Sequence, residues 1–205
     1  MNIAVLASHE GTTLQAVLDA CAAGIIAARV ALVISNNADA GALRRARAAG
    51  VETLHLSGRT HPDPQALDRA ICHALERYGT DLVLLAGYLK RLGPRTLARF
   101  GGRVLNTHPA LLPRFAGPGM YGEHVHRAVL AAGERSSGAS IHLVDEAYDT
   151  GPVLAQVTVP VERTDTAETL AARVQQAERG LLVEVLAELA SGKRNLAAGH
   201  PGHTP

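Results

Sequence analysis

The sequence predicts an α/β protein built on a doubly wound, mostly parallel sheet, with an antiparallel strand addition and a long final helix at its C-terminal end. Over the first half of the chain, short apolar runs typical of buried strands alternate with segments of helical period, and this rhythm builds parallel sheets. After residue 108 two strand-like runs follow each other without a helix between them, which favours an antiparallel hairpin.

The alternating half contains five predicted strands and four predicted helices. The strands are NIAVLAS (2–8), RVALVISN (29–36), VETLHL (51–56), TDLVLLAGYL (80–89) and RVLNTH (103–108). The helices are TTLQAVLDACAAG (12–24), AGALRRARAAG (40–50), DPQALDRAICHALERYG (63–79) and GPRTLARFG (93–101). Glycine at a helix end and Pro64 near a helix start are the residues expected at these termini.

The C-terminal half is read as strands 138–146 and 151–161 followed by one helix over 166–192, begun by a threonine-containing cap. Residues 114–126 are read as a loop. We expect a single domain over 1–192 and a flexible tail over 193–205, because the tail lacks apolar periodicity.

Composition excludes several classes of function. The 20 Lys and Arg residues balance 19 Asp and Glu and are interleaved with them, so a nucleic-acid partner is not expected. No apolar run approaches the roughly 20 residues that span a bilayer. Two lone cysteines, Cys21 and Cys72, without metal-ligand spacing suit a reducing compartment. With no leader at the N-terminus, these features predict a cytoplasmic protein without a membrane partner.

The segment VLNTHPALLPRF, residues 104–115, is the first candidate for chemistry. Side chains alternate along a strand, so Asn106 and His108 share a face, and the carboxyl end of a parallel strand opens onto the ligand crevice. An amide N–H can stabilise a developing oxyanion, and an imidazole can move a proton near neutral pH. Pro109 and Pro113 restrict the chain's exit. An alternative stays open, in which His108 only bonds a carbonyl at the strand end.

A carboxylate cluster in SIHLVDEAYDTG supplies a candidate partner for that histidine. Asp149 lies in a turn before Gly151, and a carboxylate near an imidazole raises the imidazole pKa. The alternative is a turn residue that bonds its own backbone.

The segment SHEGTTLQ, residues 8–15, joins the first strand to the first helix. Gly11 permits a tight turn, Thr12 or Thr13 is expected to cap the helix, and the first N–H groups of the helix form a phosphate cradle. The pattern matches neither a dinucleotide fingerprint nor a P-loop, and a plain helix cap is the alternative. The ten histidines show no zinc signature, so no metal is predicted.

Together, NTHPALLPRF, GASIHLVDEAYDTGPVLAQ, AGYLKRLGP and SHEGTTLQA resemble the phosphoribosylglycinamide formyltransferase family over about residues 1–190. The first two segments are specific for formyltransferases that use 10-formyltetrahydrofolate, and the other features select the glycinamide branch less sharply. The resemblance implies a Rossmann-like formyltransferase fold. It also implies transfer of the formyl group of 10-formyltetrahydrofolate to the amine of N1-(5-phosphoribosyl)glycinamide in purine biosynthesis.

The same resemblance implies roles for individual residues. Asn106 would bond the formyl oxygen and the oxyanion, and would also contact the folate. His108 would be the general acid or would relay a proton through water, and Asp149 would keep its imidazolium available. No metal is required.

The implied binding residues fall into two groups for two small-molecule substrates, with a homodimer left open. Those for the ribonucleotide are Gly11, Thr12, Thr13, Gln175 and Glu178, and those for the folate are Leu89, Lys90, Arg91 and Leu92.

The N-terminal loop departs from the family's usual Gly-Asn-Gly-Ser-Asn, because this chain has His9 and Glu10 before Gly11. We expect the Glu10 carboxylate to point away from the phosphate, with His9 compensating its charge. Other functions implied by the wider group are 10-formyltetrahydrofolate deformylase and a formyltransferase for another amine, such as a sugar nucleotide. Methionyl-tRNA formyltransferase would require a further domain and a basic surface. A silent ligand-binding module would lack Asn106, His108 or Asp149.

Overall fold

The computed structural model describes residues 1–196, which form two compact units. The first unit runs from Met1 to Leu105 and the second begins at Asn106. The single domain expected over 1–192 therefore stays a prediction. In the expected tail, Arg194 donates through Nε to Glu188 at 2.7 Å, and residues 197–205 lie outside the described residues.

Strands and helices alternate as predicted in the first unit. The strands of the whole chain are β1 (Asn2–Leu6), β2 (Arg29–Ser35), β3 (Glu52–His55), β4 (Leu82–Leu85), β5 (Val104–His108), β6 (Ser136–Leu143) and β7 (Val153–Pro160). The helices are α1 (Thr12–Ala22), α2 (Gly41–Ala48), α3 (Pro64–Arg77), α4 (Pro94–Phe100), α5 (Glu123–Ala131) and α6 (Ala167–Ala190).

The sheet confirms the predicted fold class. In the first unit β1 pairs in parallel with β2 and β4, and β2 pairs in parallel with β3. In the second unit β6 and β7 pair antiparallel. The strand order is β3-β2-β1-β4-β5-β6-β7, so the chain winds outward in both directions from β1, as in a doubly wound sheet.

Strand β4 is shorter than its apolar run suggested. All four of its residues are buried, and apolar side chains on both faces are expected where a parallel strand is covered on both sides. The strand ends before Gly87, whose φ of 69° is left-handed and cannot continue a strand. The remaining apolar residues of the run therefore begin the loop to α4.

The residues that begin three helices confirm one prediction about helix caps and contradict another. Asp63 caps α3 by accepting from two backbone N–H groups, and Pro64 is its first residue, as predicted. Thr166 forms a capping box with Thr169 at α6. At α1, however, Gly11 occupies the N-cap position and no side chain caps the helix, so the threonine cap expected from Thr12 or Thr13 is wrong.

Residues 114–126 were predicted to be a loop, but helix α5 begins at Glu123, so the prediction is wrong for the last residues of that segment. Val125 and Val129 are one helical turn apart and both are fully buried, in a cluster with Leu170 and Val174 of α6. The glycine- and proline-rich residues before α5 conceal this short apolar stripe, and Gly122 precedes the helix with a φ of 53°. Packing against α6 stabilises a helix this short.

Strand β7 stands at the end of the strand order and carries two arginine contacts on its backbone. Arg173 donates to the carbonyl of Pro160 at 2.9 Å, and Arg194 donates to the carbonyl of Leu154 at 2.6 Å. Both arginines come from α6 or from the residues just after it. No helix within residues 1–196 is long and apolar enough to cross a membrane.

Two glycines of the second unit should respond oppositely to the same substitution. A Cβ at Gly138 would lie 2.0 Å from the carbonyl oxygen of Val157 on the paired strand, whereas a Cβ at Gly180 in α6 meets nothing within 4 Å. We expect Gly138→Ala to lower the free energy of unfolding by about 1–3 kcal/mol through overpacking. Gly180→Ala should raise it by up to about 1 kcal/mol through helix propensity. Urea denaturation of both variants measures this, and equal effects would contradict the backbone contact at Gly138.

Candidate active site

Four polar side chains meet at the ends of β5 and β6 in the second unit. Asn106 Nδ2 lies 3.0 Å from His142 Nε2, and His142 Nε2 lies 3.6 Å from Asp149 Oδ1. The other carboxylate oxygen of Asp149 lies 3.5 Å from His108 Nδ1. The structure thus brings together the three residues expected to be catalytic and adds His142.

The tautomer of His142 follows from its partners. Its Nδ1 lies 2.8 Å from the carbonyl oxygen of Leu143, so Nδ1 carries the proton. In the neutral ring Nε2 is then an acceptor, and Asn106 donates to it. This bond fixes which end of the Asn106 amide is the nitrogen and leaves its second N–H as a donor.

Backbone geometry around β6 aims His142 at the site. The β6–β7 register shifts between Ile141 and His142, where Leu154 is an extra residue on β7, and such bulges redirect side chains. A Cβ at Gly151 would lie 1.9 Å from the carbonyl oxygen of Leu143, the oxygen that accepts from His142. Only glycine fits there, because the loop carrying Asp149 returns directly over this carbonyl.

His108 is 3 % exposed, and both ring nitrogens face acceptors. Its Nε2 lies 2.8 Å from the carbonyl oxygen of Phe115 and so carries a proton. Its Nδ1 faces Asp149, and it gains a proton when the ring becomes an imidazolium. The pocket therefore offers an acceptor to each N–H of the charged ring.

Burial nevertheless dominates the titration of His108. Burial lowers the pKa of His108, Asp149 and the Phe115 carbonyl raise it, and His142 lowers it, so that the pKa lies below its ordinary value. Asp149 acts in the expected direction, but the net pKa falls because a buried charge loses its hydration.

Asp149 is held as a carboxylate on a constrained backbone. Burial raises the pKa of Asp149. His142, His108 and the N–H of Gly117 together lower it by more than burial raises it, so the pKa lies below the ordinary value. The Gly117 N–H donates to Oδ2 at 3.1 Å, and Asp149 itself has a φ of 55°. A positive φ is uncommon in a non-glycine residue, and Asp is among the residues that adopt it most readily.

In the first unit, the segment before α1 packs against the start of α2. The backbone N–H of Ala42 donates to the carbonyl of His9 at 3.0 Å, and Gly11 turns into α1 with a φ of 71°. The carboxylate of Glu10 lies 3.5 Å from Arg44 of α2. Arg44 supplies the compensating cation that was expected from His9.

The predicted folate segment has mixed exposure. Leu89 is 42 % exposed, Lys90 and Arg91 are exposed, and Leu92 is buried. The N–H of Leu89 donates to Ser8 Oγ at 2.9 Å, which joins this loop to the end of β1. That N–H is therefore already occupied by the protein.

On α6 in the second unit, Gln175 is exposed whereas Glu178, nearly one turn further, is buried. Most ionisable side chains avoid burial unless they are paired, so Glu178 does not belong to a plain solvated helix face.

His142 is the site residue that the sequence reading missed. Its signal was present in SIHLVDE, where an imidazole interrupts a buried apolar strand two residues after Ser140. Within residues 1–196, no group of three or more His, Cys, Asp and Glu side chains is arranged to hold a metal ion.

Removing the Asp149 charge should shift His108 further. We expect Asp149→Asn to lower the His108 pKa below that of the unsubstituted protein, because the lost carboxylate opposes the effect of burial. NMR titration of the imidazole signals measures this. Glu168→Gln, an equal charge change at an exposed position of α6, should leave the His108 pKa unchanged. A higher or unchanged His108 pKa in Asp149→Asn would contradict the coupling.

Comparisons with known proteins identify the family of the chain. The sequence model of the family described as formyl transferase matches residues 1–186. The chain is 40 % identical over 193 residues to phosphoribosylglycinamide formyltransferase of Escherichia coli, covering 94 % of this chain and 89 % of that protein. It is 43 % identical over 190 residues to the enzyme of that name from Mycobacterium tuberculosis, covering 93 % and 85 %.

A solved structure agrees as well. Glycinamide ribonucleotide transformylase 1 from Symbiobacterium toebii superimposes with a TM-score of 0.88 at 42 % identity, covering 94 % of this chain and 88 % of that one. A family match over most of the chain, together with relatives at this level of identity, shows that the chain belongs to the formyl transferase family.

Proposed function

We propose that this protein transfers the formyl group of 10-formyltetrahydrofolate to the amine of N1-(5-phosphoribosyl)glycinamide. The products are formylglycinamide ribonucleotide and tetrahydrofolate, in purine biosynthesis. The observation that carries the proposal is the cluster of Asn106, Asp149 and the buried His108 and His142 in a chain of the formyl transferase family.

Asn106 is the oxyanion donor. One N–H of its amide is committed to His142 Nε2 at 3.0 Å, which leaves the second N–H for the formyl oxygen. That oxygen gains negative charge when the amine attacks the formyl carbon. A donor fixed in advance stabilises this charge without reorganising in the transition state.

His108 moves the proton that the reaction must relocate. The neutral amine attacks the formyl carbon, and the resulting ammonium must lose a proton while the folate nitrogen must gain one as its bond to carbon breaks. The lowered pKa of His108 favours the neutral ring, so Nδ1 can accept one proton and Nε2 can release the other, directly or through water. Asp149 stabilises the imidazolium between these steps.

One contact must change for this relay to operate through Nε2. That nitrogen is bonded to the carbonyl of Phe115 at 2.8 Å, so the Phe115 carbonyl has to move before Nε2 reaches a substrate. Phe115 has a φ of 55°, which marks it as a strained position in the segment that would move.

Substrate binding is divided between segments. Gly11, Thr12 and Thr13 present N–H groups for the phosphate, and Gln175 and Glu178 of α6 bind the ribose and glycinamide. Leu89, Lys90, Arg91 and Leu92 bind the folate, through groups other than the Leu89 N–H that Ser8 occupies. No step of this mechanism uses a metal.

A cytoplasmic location completes the proposal. Two free cysteines, Cys21 and Cys72, fit a reducing compartment, since burial raises the pKa of each thiol and makes it less reactive.

The activity test follows folate absorbance and free formate, with and without the ribonucleotide. We expect folate turnover only with the ribonucleotide and without free formate. We expect Asn106→Ala to lower kcat by about 100- to 1000-fold. His108→Ala should lower it by about 100- to 10,000-fold. His73→Ala, the same change at an exposed position of α3, is the matched control and should keep full activity. Formate release without an acceptor would identify a deformylase instead, and turnover only with another amine would reassign the acceptor.

His142 should affect kcat without affecting substrate affinity. His142→Phe keeps an aromatic ring but removes the acceptor for Asn106, so the amide can turn away from the oxyanion. A lost hydrogen bond of about 1 kcal/mol predicts a decrease in kcat of roughly 5- to 10-fold. Steady-state kinetics together with the melting temperature separate this from unfolding. Unchanged kcat in a folded His142→Phe protein would show that His142 does not orient Asn106.

A further inference from the structure

Arg45 of α2 connects three parts of the first unit. Its Nε donates to the backbone carbonyl of Glu10 at 2.8 Å, and its Nη1 donates to Gln15 of α1 at 3.2 Å. Its side chain is partly buried, unlike that of its neighbour Arg44, which is 62 % exposed. The fork of the guanidinium thus bridges the segment before α1 and α1 itself.

These contacts determine the direction of two backbone N–H groups. The carbonyl of His9 accepts from Ala42 and the carbonyl of Glu10 accepts from Arg45, so both carbonyls point at α2. In a trans peptide, the C=O and the following N–H point in opposite directions. Both peptides are trans, so the N–H groups of Glu10 and Gly11 point away from α2, on one side of the chain. Successive N–H groups on one side, leading into a helix N-terminus, form an anion-binding concavity.

Close packing prevents this segment from adjusting elsewhere. A Cβ at Gly11 would lie 2.7 Å from the Cα of Ala42, and a Cβ at Gly41 would lie 2.8 Å from the Cα of Glu10. The two turns therefore approach each other at glycines, and the Glu10 carboxylate and the Ala42 Cβ fill the remaining space. The Glu10–Gly11 peptide could still rotate about the bonds on either side of it. The hydrogen bond from Arg45 Nε to the Glu10 carbonyl opposes that rotation.

We infer that Arg45 is a positioning residue for ribonucleotide binding, because it holds the Glu10–Gly11 peptide with its N–H toward the phosphate. The inference rests on the proposed function, which places the phosphate at Gly11, Thr12 and Thr13. It also assigns different roles to the two parts of Glu10. The carbonyl orients the loop, whereas the carboxylate forms an exposed pair with Arg44, and such pairs contribute little.

The test compares Arg45→Ala, Arg45→Lys and Arg44→Ala in the full-length protein. Calorimetric titration with glycinamide ribonucleotide gives Kd, steady-state kinetics give KM for each substrate and kcat, and thermal melts show that each variant is folded. Arg44→Ala is the matched control, because it removes an equal charge from the next position of the same helix. Arg45→Lys keeps the charge but replaces the planar fork, whose Nε and Nη1 donate to Glu10 and Gln15, with a single ammonium nitrogen.

We expect Arg45→Ala to raise Kd and KM for the ribonucleotide by about 10- to 100-fold, the value of one hydrogen bond to a charged group. The KM for the folate and kcat should stay within about twofold. Arg45→Lys should recover part of the affinity, and Arg44→Ala should change it by less than about threefold.

Four results would overturn the inference. Wild-type affinity in a folded Arg45→Ala protein would show that the peptide needs no such support. Equal losses in Arg45→Ala and Arg44→Ala, or full affinity in Arg45→Lys, would show that net charge alone matters. If the unsubstituted protein fails to bind the ribonucleotide, the proposed function itself fails, and the inference falls with it.

Discussion

The carboxylate of Asp149 lies between two buried imidazoles, and the chemistry of the site depends on this arrangement. Its oxygens lie 3.5 Å from His108 and 3.6 Å from His142. A positive charge in such a buried place is costly unless a partner is fixed nearby. In the proposed relay Asp149 is that partner: it stabilises a transient imidazolium at His108, while burial holds the His108 pKa below its ordinary value. A proton relay needs this balance, because a ring that held its proton firmly could not pass it on.

The position of Asp149 depends on the backbone around it and not on side-chain packing alone. The loop after β6 closes onto the Leu143 carbonyl, where only Gly151 fits. The same carbonyl selects the tautomer of His142, and the tautomer orients Asn106. A glycine that touches no substrate thus controls the donor expected to stabilise the oxyanion. This gives a physical reason for the Asp-x-Gly pattern at residues 149–151.

The sequence predicts most of the fold because parallel strands buried on both faces carry an unmistakable apolar run. Strand alternation also places Asn106 and His108 on one face, whereas the pairing of Asp149 with His108 follows from the resemblance to the family and not from a local pattern. Prediction from the sequence fails where contacts between residues distant in the chain determine the structure. Helix α5 is stabilised by packing against α6, which no local pattern reveals. His142 becomes a site residue through its contacts with Asn106 and Asp149, of which Asn106 is distant in the sequence. The net pKa of His108 depends on burial that the sequence does not display.

The arginine contacts on β7 have a consequence for the protein's behaviour in a crowded solution. An outer strand with open carbonyl groups can recruit an extended segment of another molecule and seed aggregation. Here the carbonyls of Leu154 and Pro160 are occupied by Arg194 and Arg173, whose bulky groups also block an approaching backbone. These arginines come from α6 and the residues just after it. The two carbonyls are therefore covered only once α6 has packed against β7. Strand β7 precedes both arginines in the sequence, so it leaves the ribosome first. Until the arginines follow, the outer carbonyl groups of β7 are open to pairing with another molecule.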